Sequence, residues 1–360
     1  MATSWHAVEV LEESLNKTKK LLFEKANIGF WLKLGLIVFL IGGGSSFNPI
    51  GFGGGSEEKS NATSVDFAAM LPFIAIVIAI VLIIGLVFSF IRAVCQFILI
   101  ECVTSGNIEI IKGFKRNMDN GFNLFLFNLA FGFIVLVIIL APIIASVYLL
   151  MKDGGSPAKM TIIMAILGFI LYALLVSIPA GIIGTLTNEF VTLFMYRDKK
   201  GVMDGWRKLW IALQKNLNQF IVYFLLKIGL GIAAGIIQMI ATLVLMLVAV
   251  VVLIILAIGP VIVAIIAIIA LNLSQTAISM IAIPAVLVLI IYFLLITYLI
   301  VVATLPIPVF FRYYSIMFLQ NMEKVVNVAI NRTSNGKEPK AQKAAKKEGK
   351  KPSKGKIKVY

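Results

Sequence analysis

The chain has 360 residues, of which 60% are hydrophobic and 14% are charged, whereas a typical soluble domain is about 25% charged. Its formal net charge is +15, and 13 of its 32 basic residues lie from Arg312 onward, so the excess is mostly a basic tail. Together with a mean hydropathy of +1.02, this composition excludes an ordinary soluble domain and indicates a polytopic membrane protein.

The first 25 residues carry four lysines and four glutamates without the apolar run of a signal peptide, so we expect the first span to direct insertion. Within them, apolar residues recur at helical spacing: Trp5, Val8, Leu11, Leu15 and Leu22. A matching stripe comprises Met203, Trp206, Trp210, Leu213 and Leu217, and a weaker one comprises Ile108, Ile111 and Met118.

These stripes predict helices that lie in the headgroup plane, anchored at the interface by Trp5, Trp206 and Trp210. The same spacing also fits stripes that pack on the inner ends of the protein's own spans. The sequence leaves the two alternatives open.

Six apolar stretches follow along the chain, and one is oversized: residues 30–47, 68–92, 122–148, 160–187, 219–271 and 279–309. From Ile228 to Phe311, 84 residues pass without a Lys, Arg, Asp or Glu, which is typical of a lipid environment. The predicted fold is therefore an all-α polytopic membrane bundle of six transmembrane helices, arranged as three αα-hairpins that each follow an amphipathic interfacial helix.

The distribution of basic residues predicts the orientation in the membrane. Connectors on one side, with the tail, hold 26 basic residues, and connectors on the other side hold three. By the positive-inside rule, both termini of this multi-pass protein face the cytoplasm of a cell membrane, and the number of crossings is even.

A short internal repeat supports the even count. Phe30–Gly35, Phe125–Ala130 and Phe224–Gly229 share Phe first, Lys or Asn fourth, Leu or Ile fifth, and Gly or Ala sixth. The predicted divisions are residues 1–101, 102–196 and 197–325 for the three hairpin units, and 326–360 for a disordered Lys-rich tail.

The third unit carries a surplus apolar segment near residues 246–271. As one helix, residues 219–271 would be about 80 Å long, against a hydrocarbon core of about 30 Å. We therefore predict a helix break at Gly259 and Pro260, because proline removes a backbone donor and clashes with the preceding turn. Two apolar arms would then form a re-entrant or outer-leaflet hairpin. The sequence does not decide firmly between six and seven crossings.

Ionisable and polar residues inside the apolar stretches are the candidate functional residues. Lys33, Asn128 and Lys227 occupy matching repeat positions and would form an intramembrane polar ring, although lysines this close to a boundary also snorkel. Arg92, Glu189 and Arg312 are boundary charges at the inner ends of the returning spans. Glu189 is the expected partner of Lys227 or Arg92 in any buried ion pair.

Recognisable catalytic chemistry is missing from the sequence. With a single histidine, His6, and few acidic residues, little is left for acid–base work, so no catalytic, metal or cofactor site is predicted and the protein is not expected to be an enzyme.

The expected partners are lipids and membrane helices. Residues 337–358 contain ten lysines, which would attract anionic lipid headgroups or ribosomal RNA. Gly231 and Gly235 form a small-xxx-small pattern that suits a helix–helix partner or a homo-oligomer. No specific DNA binding is expected.

The triple hairpin, with its basic amphipathic segments and repeated Phe motif, resembles a group of uncharacterised six-helix integral membrane proteins of prokaryotes, archaea in particular. These resemble the membrane domain attached to some glycerophosphodiester phosphodiesterases. The resemblance covers roughly residues 5–325 and implies a six-helix bundle with a membrane-supporting role. It brings no site residues, and the phosphodiesterase's catalytic domain has no counterpart here.

The sequence thus favours a non-enzymatic membrane scaffold, or an accessory protein for lipid or protein partners. A small-solute transporter or channel, with the polar ring as its inner mouth, is the alternative. A ribosome-docked membrane-insertion factor is a weaker one.

Overall fold

The computed structural model describes residues 6–24, 27–42, 67–152, 159–271 and 275–335, and these ranges are almost entirely helical, without a strand. Two π-helical turns, Lys20–Glu24 and Thr187–Val191, continue α1 and join α5 to α6. The helices are α1 (His6–Lys19), α2 (Ile28–Ile41), α3 (Phe67–Ser105), α4 (Ile110–Lys152), α5 (Lys159–Leu186), α6 (Thr192–Asp198), α7 (Val202–Lys215), α8 (Leu217–Leu271), α9 (Gln275–Ala303) and α10 (Pro306–Asn335).

Five helices in the described ranges are long and apolar enough to cross a membrane: α3, α4, α5, α8 and α9. This confirms an all-helical chain that is compatible with a multi-pass membrane protein. The remaining apolar stretch, residues 30–47, includes most of α2, which has 14 residues and is about 21 Å long. Gly42 ends it in the left-handed conformation (φ 78°), where its N–H donates to the carbonyls of Phe39 and Val38. Six spans in three repeated hairpins stay a prediction.

The predicted helix break at Gly259 and Pro260 is wrong, because α8 runs without interruption for 55 residues, through residue 260 to Leu271. Proline withholds one hydrogen bond from a helix, at a cost of about 3 kcal/mol. A break in an apolar segment would free several backbone groups that lipid cannot satisfy, at several kcal/mol each. The continuous helix is therefore the less costly solution.

Two other boundaries differ from the sequence-based expectation. In the second predicted hairpin unit, residues 102–196, the amphipathic residues belong to the same helix as the span, since α4 begins at Ile110 and continues to Lys152. Residues 326–335, expected to begin the disordered tail, are the last turns of α10. Residues 336–360 lie outside the described ranges, as do Trp5 and the connectors around Ser60 and Ser156.

The chain divides into two compact units. The first contains α1, α2, α8, α9 and α10 as far as Tyr314. In it, α2 packs closely on α9, because a Cβ added to Gly35 would lie 2.5 Å from Val302 Cγ2. The Tyr298 hydroxyl donates to the Leu32 carbonyl at 2.8 Å, and its ring meets Phe39 edge-on. Trp31 Nε1 donates to the Leu22 carbonyl and so ties α2 to the turn after α1.

The second unit contains α3 to α7 and α10 from Ser315 onward. Here α3 and α4 approach so closely that a Cβ on Gly121 would lie 2.9 Å from the Val94 Cα atom. The Phe90 ring contacts the rings of Phe114, Phe122 and Phe125 at centroid distances of 5.9 to 6.3 Å. Phe190, in the π turn, contacts Phe318 of α10. Close approach at glycines and contacts between aromatic rings thus join the helices at the ends that adjoin basic connectors.

Burial is concentrated at these basic ends of the helices. In α3, residues 93–100 are all buried, whereas the large apolar side chains from Ile76 to Phe88 are exposed. In the most apolar stretch of each of the five long helices, at most 6% of the residues are buried. The spans therefore make little use of one another for packing and leave most of their surface to the surroundings.

Candidate intramembrane and membrane-interface sites

Lys227 lies near the start of α8, four residues after Tyr223. Its Nζ atom is 6.0 Å from the centroid of the Tyr223 ring and 5.9 Å from that of Phe311. Aromatic faces attract a cation at this range, and the attraction is stronger where water is excluded. Lys227 is half-buried, so the aromatic pair stabilises its ammonium group at the edge of the apolar helix.

Three stacked aromatic rings support this lysine site. The rings of Tyr223 and Tyr314 are nearly parallel with centroids 5.0 Å apart, and Phe310 stacks on Tyr314 at 6.0 Å. Both tyrosines are fully buried. The Tyr314 hydroxyl donates to the Ala7 carbonyl at 3.0 Å, which fixes α1 against α10. The stack therefore connects three helices of the first unit.

Arg312 is the second cation of this region, with only 8% of its surface exposed. Burial lowers the pKa of the Arg312 guanidinium to about 10, while the nearby Tyr223 acts in the opposite direction. The group still carries its charge at neutral pH, and it lies close enough to Lys227 for the two charges to repel each other. A buried cation beside an aromatic stack was not foreseen from the sequence, which placed Arg312 at a helix boundary.

Four polar residues of α8 lie along one side of the helix. Tyr223, Lys227, Gln238 and Thr242 follow one another at intervals of 4, 11 and 4 residues, so the last three fall within about 60° around the helix and Tyr223 widens the spread to about 100°. Gln238 and Thr242 are half-buried, in a segment where every neighbour is apolar. These two residues were not predicted from the sequence, although their helical spacing from Lys227 could have identified them.

The other predicted ring members occupy different surroundings. Lys33 is exposed on α2, in the first unit, whereas Asn128 is half-buried on α4, in the second unit. The polar ring of Lys33, Asn128 and Lys227 therefore stays a prediction. Of the boundary charges, Arg92 is exposed on α3 and Glu189 is half-buried in the π turn. Their predicted pairing is likewise untested.

An acidic residue not assigned a role by the sequence joins α3 to α4. Glu101 Oε2 accepts hydrogen bonds from Asn117 Nδ2 at 2.8 Å and from Arg116 Nε at 3.2 Å, and the Arg116 guanidinium also pairs with Oε1. The Glu101 side chain is 13% exposed. These contacts close the turn between the two longest helices of the second unit. Among the described residues, no group of three or more His, Cys, Asp or Glu side chains is placed to hold a metal ion.

The two predicted interfacial helices both bury a face other than their apolar stripe. On α7, Val202, Gly205 and Leu209 are buried, whereas Met203 and Trp210 of the stripe are exposed. On α1, Ala7, Val10 and Ser14 are buried, whereas Val8 and Leu15 are exposed. These four side chains do not pack on the described protein. Other members of the stripes do so in part, since Leu11, Trp206 and Leu213 are half-buried and Leu22 is buried in the π turn after α1.

A family model described as a family of unknown function (DUF7544) matches residues 5–329. The chain belongs to this family. The match covers every described helix except the last turns of α10 and includes both the α8 polar face and the α7 stripe. No curated protein and no solved structure matches the chain. The likeness to the phosphodiesterase membrane domain and the archaeal origin stay predictions.

Proposed function

We propose that this family member is a non-enzymatic membrane scaffold or accessory protein, which holds lipid or protein partners along its spans. The observation that carries the proposal is the exposure of the spans' most apolar stretches, in which at most 6% of the residues are buried. Membrane helices associate by close side-chain packing and interhelical hydrogen bonds, and a self-contained bundle uses these surfaces internally. Here the surfaces stay available, while the packed basic ends hold the helices in place.

Site-specific photo-crosslinking in native membranes tests this proposal. A benzophenone amino acid would replace Leu175, which is 71% exposed on α5, or Val288, which is exposed on α9. The matched control is the buried Phe97 of α3. We expect discrete adducts with one protein or one lipid species at the span positions and none at Phe97. Adducts with bulk lipids in proportion to their abundance, at every span position, would contradict a scaffold.

A small-solute transporter is the second candidate, and the polar face of α8 is the observation that favours it. Gln238 and Thr242 continue the line of Tyr223 and Lys227 towards the middle of an otherwise apolar helix. Polar side chains at that depth are costly unless they face a hydrated path or a partner. A path along this face would lead from the aromatic stack into the bilayer.

Proteoliposome assays separate the two candidates. Glycerol uptake, followed by light scattering, and potassium flux, followed by a voltage-sensitive dye, would be compared for the wild type and Gln238→Leu. The matched control is Thr297→Val on α9, whose hydroxyl donates to the Phe293 carbonyl of its own helix. Flux above empty vesicles that Gln238→Leu abolishes and Thr297→Val retains would support a transporter. Equal flux in protein-containing and empty vesicles would support the scaffold.

A further inference from the structure

Along its length, helix α7 has a buried face, an apolar face and a face with charged residues. Val202, Gly205 and Leu209 form the buried face, and Gly205 is needed there because an added Cβ would lie 2.7 Å from Val191 Cγ1. Each buried residue is followed at once by a large apolar one: Met203, Trp206 and Trp210. Since successive residues on a helix are separated by about 100°, these form a second face beside the buried one. Leu213 continues it, and Leu217 is the first residue of α8.

Helix α1 repeats this order of faces. Ala7, Val10 and Ser14 are buried, and each is followed by an apolar residue: Val8, Leu11 and Leu15. The start of α4 follows the same rule, with Met118 after the buried Asn117 and Phe122 after the buried Gly121. In all three segments a bulky apolar residue directly follows a buried one and lies on the neighbouring face of the helix.

The large side chains of α7 need a nonaqueous environment. Met203 is 73% exposed and Trp210 is 58% exposed, on a helix that is otherwise well packed. Leaving such apolar surface in water is unfavourable in proportion to its area. The chain itself indicates what covers them, because α8, a helix long and apolar enough to cross a membrane, begins at Leu217, one residue after the Asn216 that ends α7. The stripe therefore lies near the level at which the chain enters the bilayer.

The charges on α7 indicate the lipid. The helix contains three basic residues, Arg207, Lys208 and Lys215, and one acidic residue, Asp204. Lys208 pairs with Asp198 across the turn from α6, which leaves Arg207 and Lys215 as exposed cations beside the apolar stripe. In contrast, α1 carries three glutamates and two lysines. Of these two helices, α7 is thus the one that is complementary to anionic headgroups.

We propose that α7 lies in the plane of an anionic lipid leaflet. Met203, Trp210 and Leu217 insert at the boundary between headgroups and acyl chains, where tryptophan is favoured. Arg207 and Lys215 bind lipid phosphates from the water side. The matching stripe of α1 inserts through apolar contact alone and does not select anionic lipids. This inference is independent of the scaffold and transporter candidates, because either could use such an anchor.

Spin-label accessibility in the full-length, reconstituted protein tests the proposal. Cys95 and Cys102 are buried, so they are retained, and the wild type serves as the control for background labelling. Single cysteines at Met203 and Trp210 would be compared with one at Ile211, which is exposed but lies a further 100° or so around the helix. In vesicles with phosphatidylglycerol, we expect oxygen to broaden the first two labels more than a water-soluble nickel complex does, and the reverse at Ile211.

The lipid selectivity is tested separately. Replacing phosphatidylglycerol with phosphatidylcholine, or introducing Arg207→Gln with Lys215→Gln, should raise nickel accessibility at position 210 several-fold. A label at Leu15 of α1 should not respond to either change. Because these side chains are exposed, the variants lose no packing, and an unchanged gel-filtration profile verifies the fold. Equal nickel accessibility at positions 203, 210 and 211 would overturn the placement. A position-210 label that is indifferent to lipid charge would overturn the anionic selectivity.

Discussion

Single side chains in this protein differ in ways that depend on contacts far along the chain. Lys227 was recognised from the sequence because it interrupts an apolar stretch. Its aromatic neighbours were not, since Phe311 lies more than 80 residues later and only the fold brings it to Lys227. Arg312 is the same case, because its burial depends on the packing of α10 within the first unit. Residue type indicated where charge lies, and tertiary packing determined its environment.

The Glu101 carboxylate provides the first residue-scale prediction. In Glu101→Gln the amide N–H₂ group would face one of the donors Arg116 and Asn117, which both now donate to the carboxylate. The side chain at position 101 is largely buried, so an amide N–H₂ group without an acceptor there costs about 1–3 kcal/mol. We therefore expect a lower melting temperature in detergent, followed by tryptophan fluorescence.

Glu109→Gln is the matched control. It removes an exposed bond to Lys112, which lies three residues later in the first turn of α4, and such surface pairs contribute about 0–1 kcal/mol. The smaller shift should therefore belong to Glu109→Gln. Equal shifts for the two variants would mean that Glu101 does not hold α3 to α4.

At the scale of helices, hydropathy predicted where the apolar elements lie, and physical costs that the sequence pattern does not show decided their ends. Gly42 ends α2 after 14 residues, whereas Pro260 does not end α8. A positive φ at Gly42 is easy for glycine and ends a helix cleanly. At residue 260 a break would free several backbone groups within an apolar segment, and the helix continues.

The repeat motif provides an element-scale prediction, since it places Gly35 and Gly229 at equivalent positions in different packing. An added Cβ at Gly35 meets Val302, whereas at Gly229 it meets nothing within 4 Å. Gly35→Ala should destabilise the α2–α9 contact by about 1–3 kcal/mol through overpacking. Gly229→Ala should be neutral or raise the melting temperature, because alanine favours a helix by about 1 kcal/mol over glycine. Shifts of the same sign would contradict this packing.

At the scale of the whole molecule, the chain divides into two compact units, each of which contains long apolar helices whose most apolar stretches are exposed. The sequence predicted the helical membrane class because lipid exposure leaves a strong compositional signal. It could not predict the two units, which combine segments from distant parts of the chain, such as α1 and α8. The function stays at the level of proposals, because the chain's polar groups are few and widely spaced.

Deletion of residues 336–360 tests the basic tail. The cut follows Asn335, where α10 ends, and removes no apolar face, so melting temperature and gel-filtration profile should not change. A peptide of the tail should bind anionic vesicles with an affinity that falls steeply as salt rises, because lysine–headgroup attraction is screened. Salt-insensitive binding would exclude an electrostatic role. Binding to ribosomes but not to vesicles would favour the insertion-factor alternative.

The last prediction concerns α2 and the side on which the chain begins. Five helices within the described ranges are long enough to cross the membrane, so six crossings require the stretch that begins with α2 to cross as well. At about 21 Å, α2 is shorter than a hydrocarbon core of about 30 Å, so the crossing needs residues after Gly42 or local thinning of the bilayer. Lys17, Lys19, Lys20 and Lys25 precede α2, and the positive-inside rule keeps them in the cytoplasm.

Cysteine labelling in intact and permeabilised cells decides the matter. Because the native cysteines are buried, single cysteines can be placed at Ser4, Ser60, Ser156 and Ser353. With six crossings, a membrane-impermeant maleimide labels Ser60 and Ser156 from outside, and Ser4 and Ser353 only after permeabilisation. If α2 does not cross, the other basic connectors and the tail keep their side and only the N-terminus changes, so Ser4 becomes accessible from outside. External labelling at Ser353 would contradict the whole orientation, because it would place the lysine-rich tail on the side that the positive-inside rule excludes.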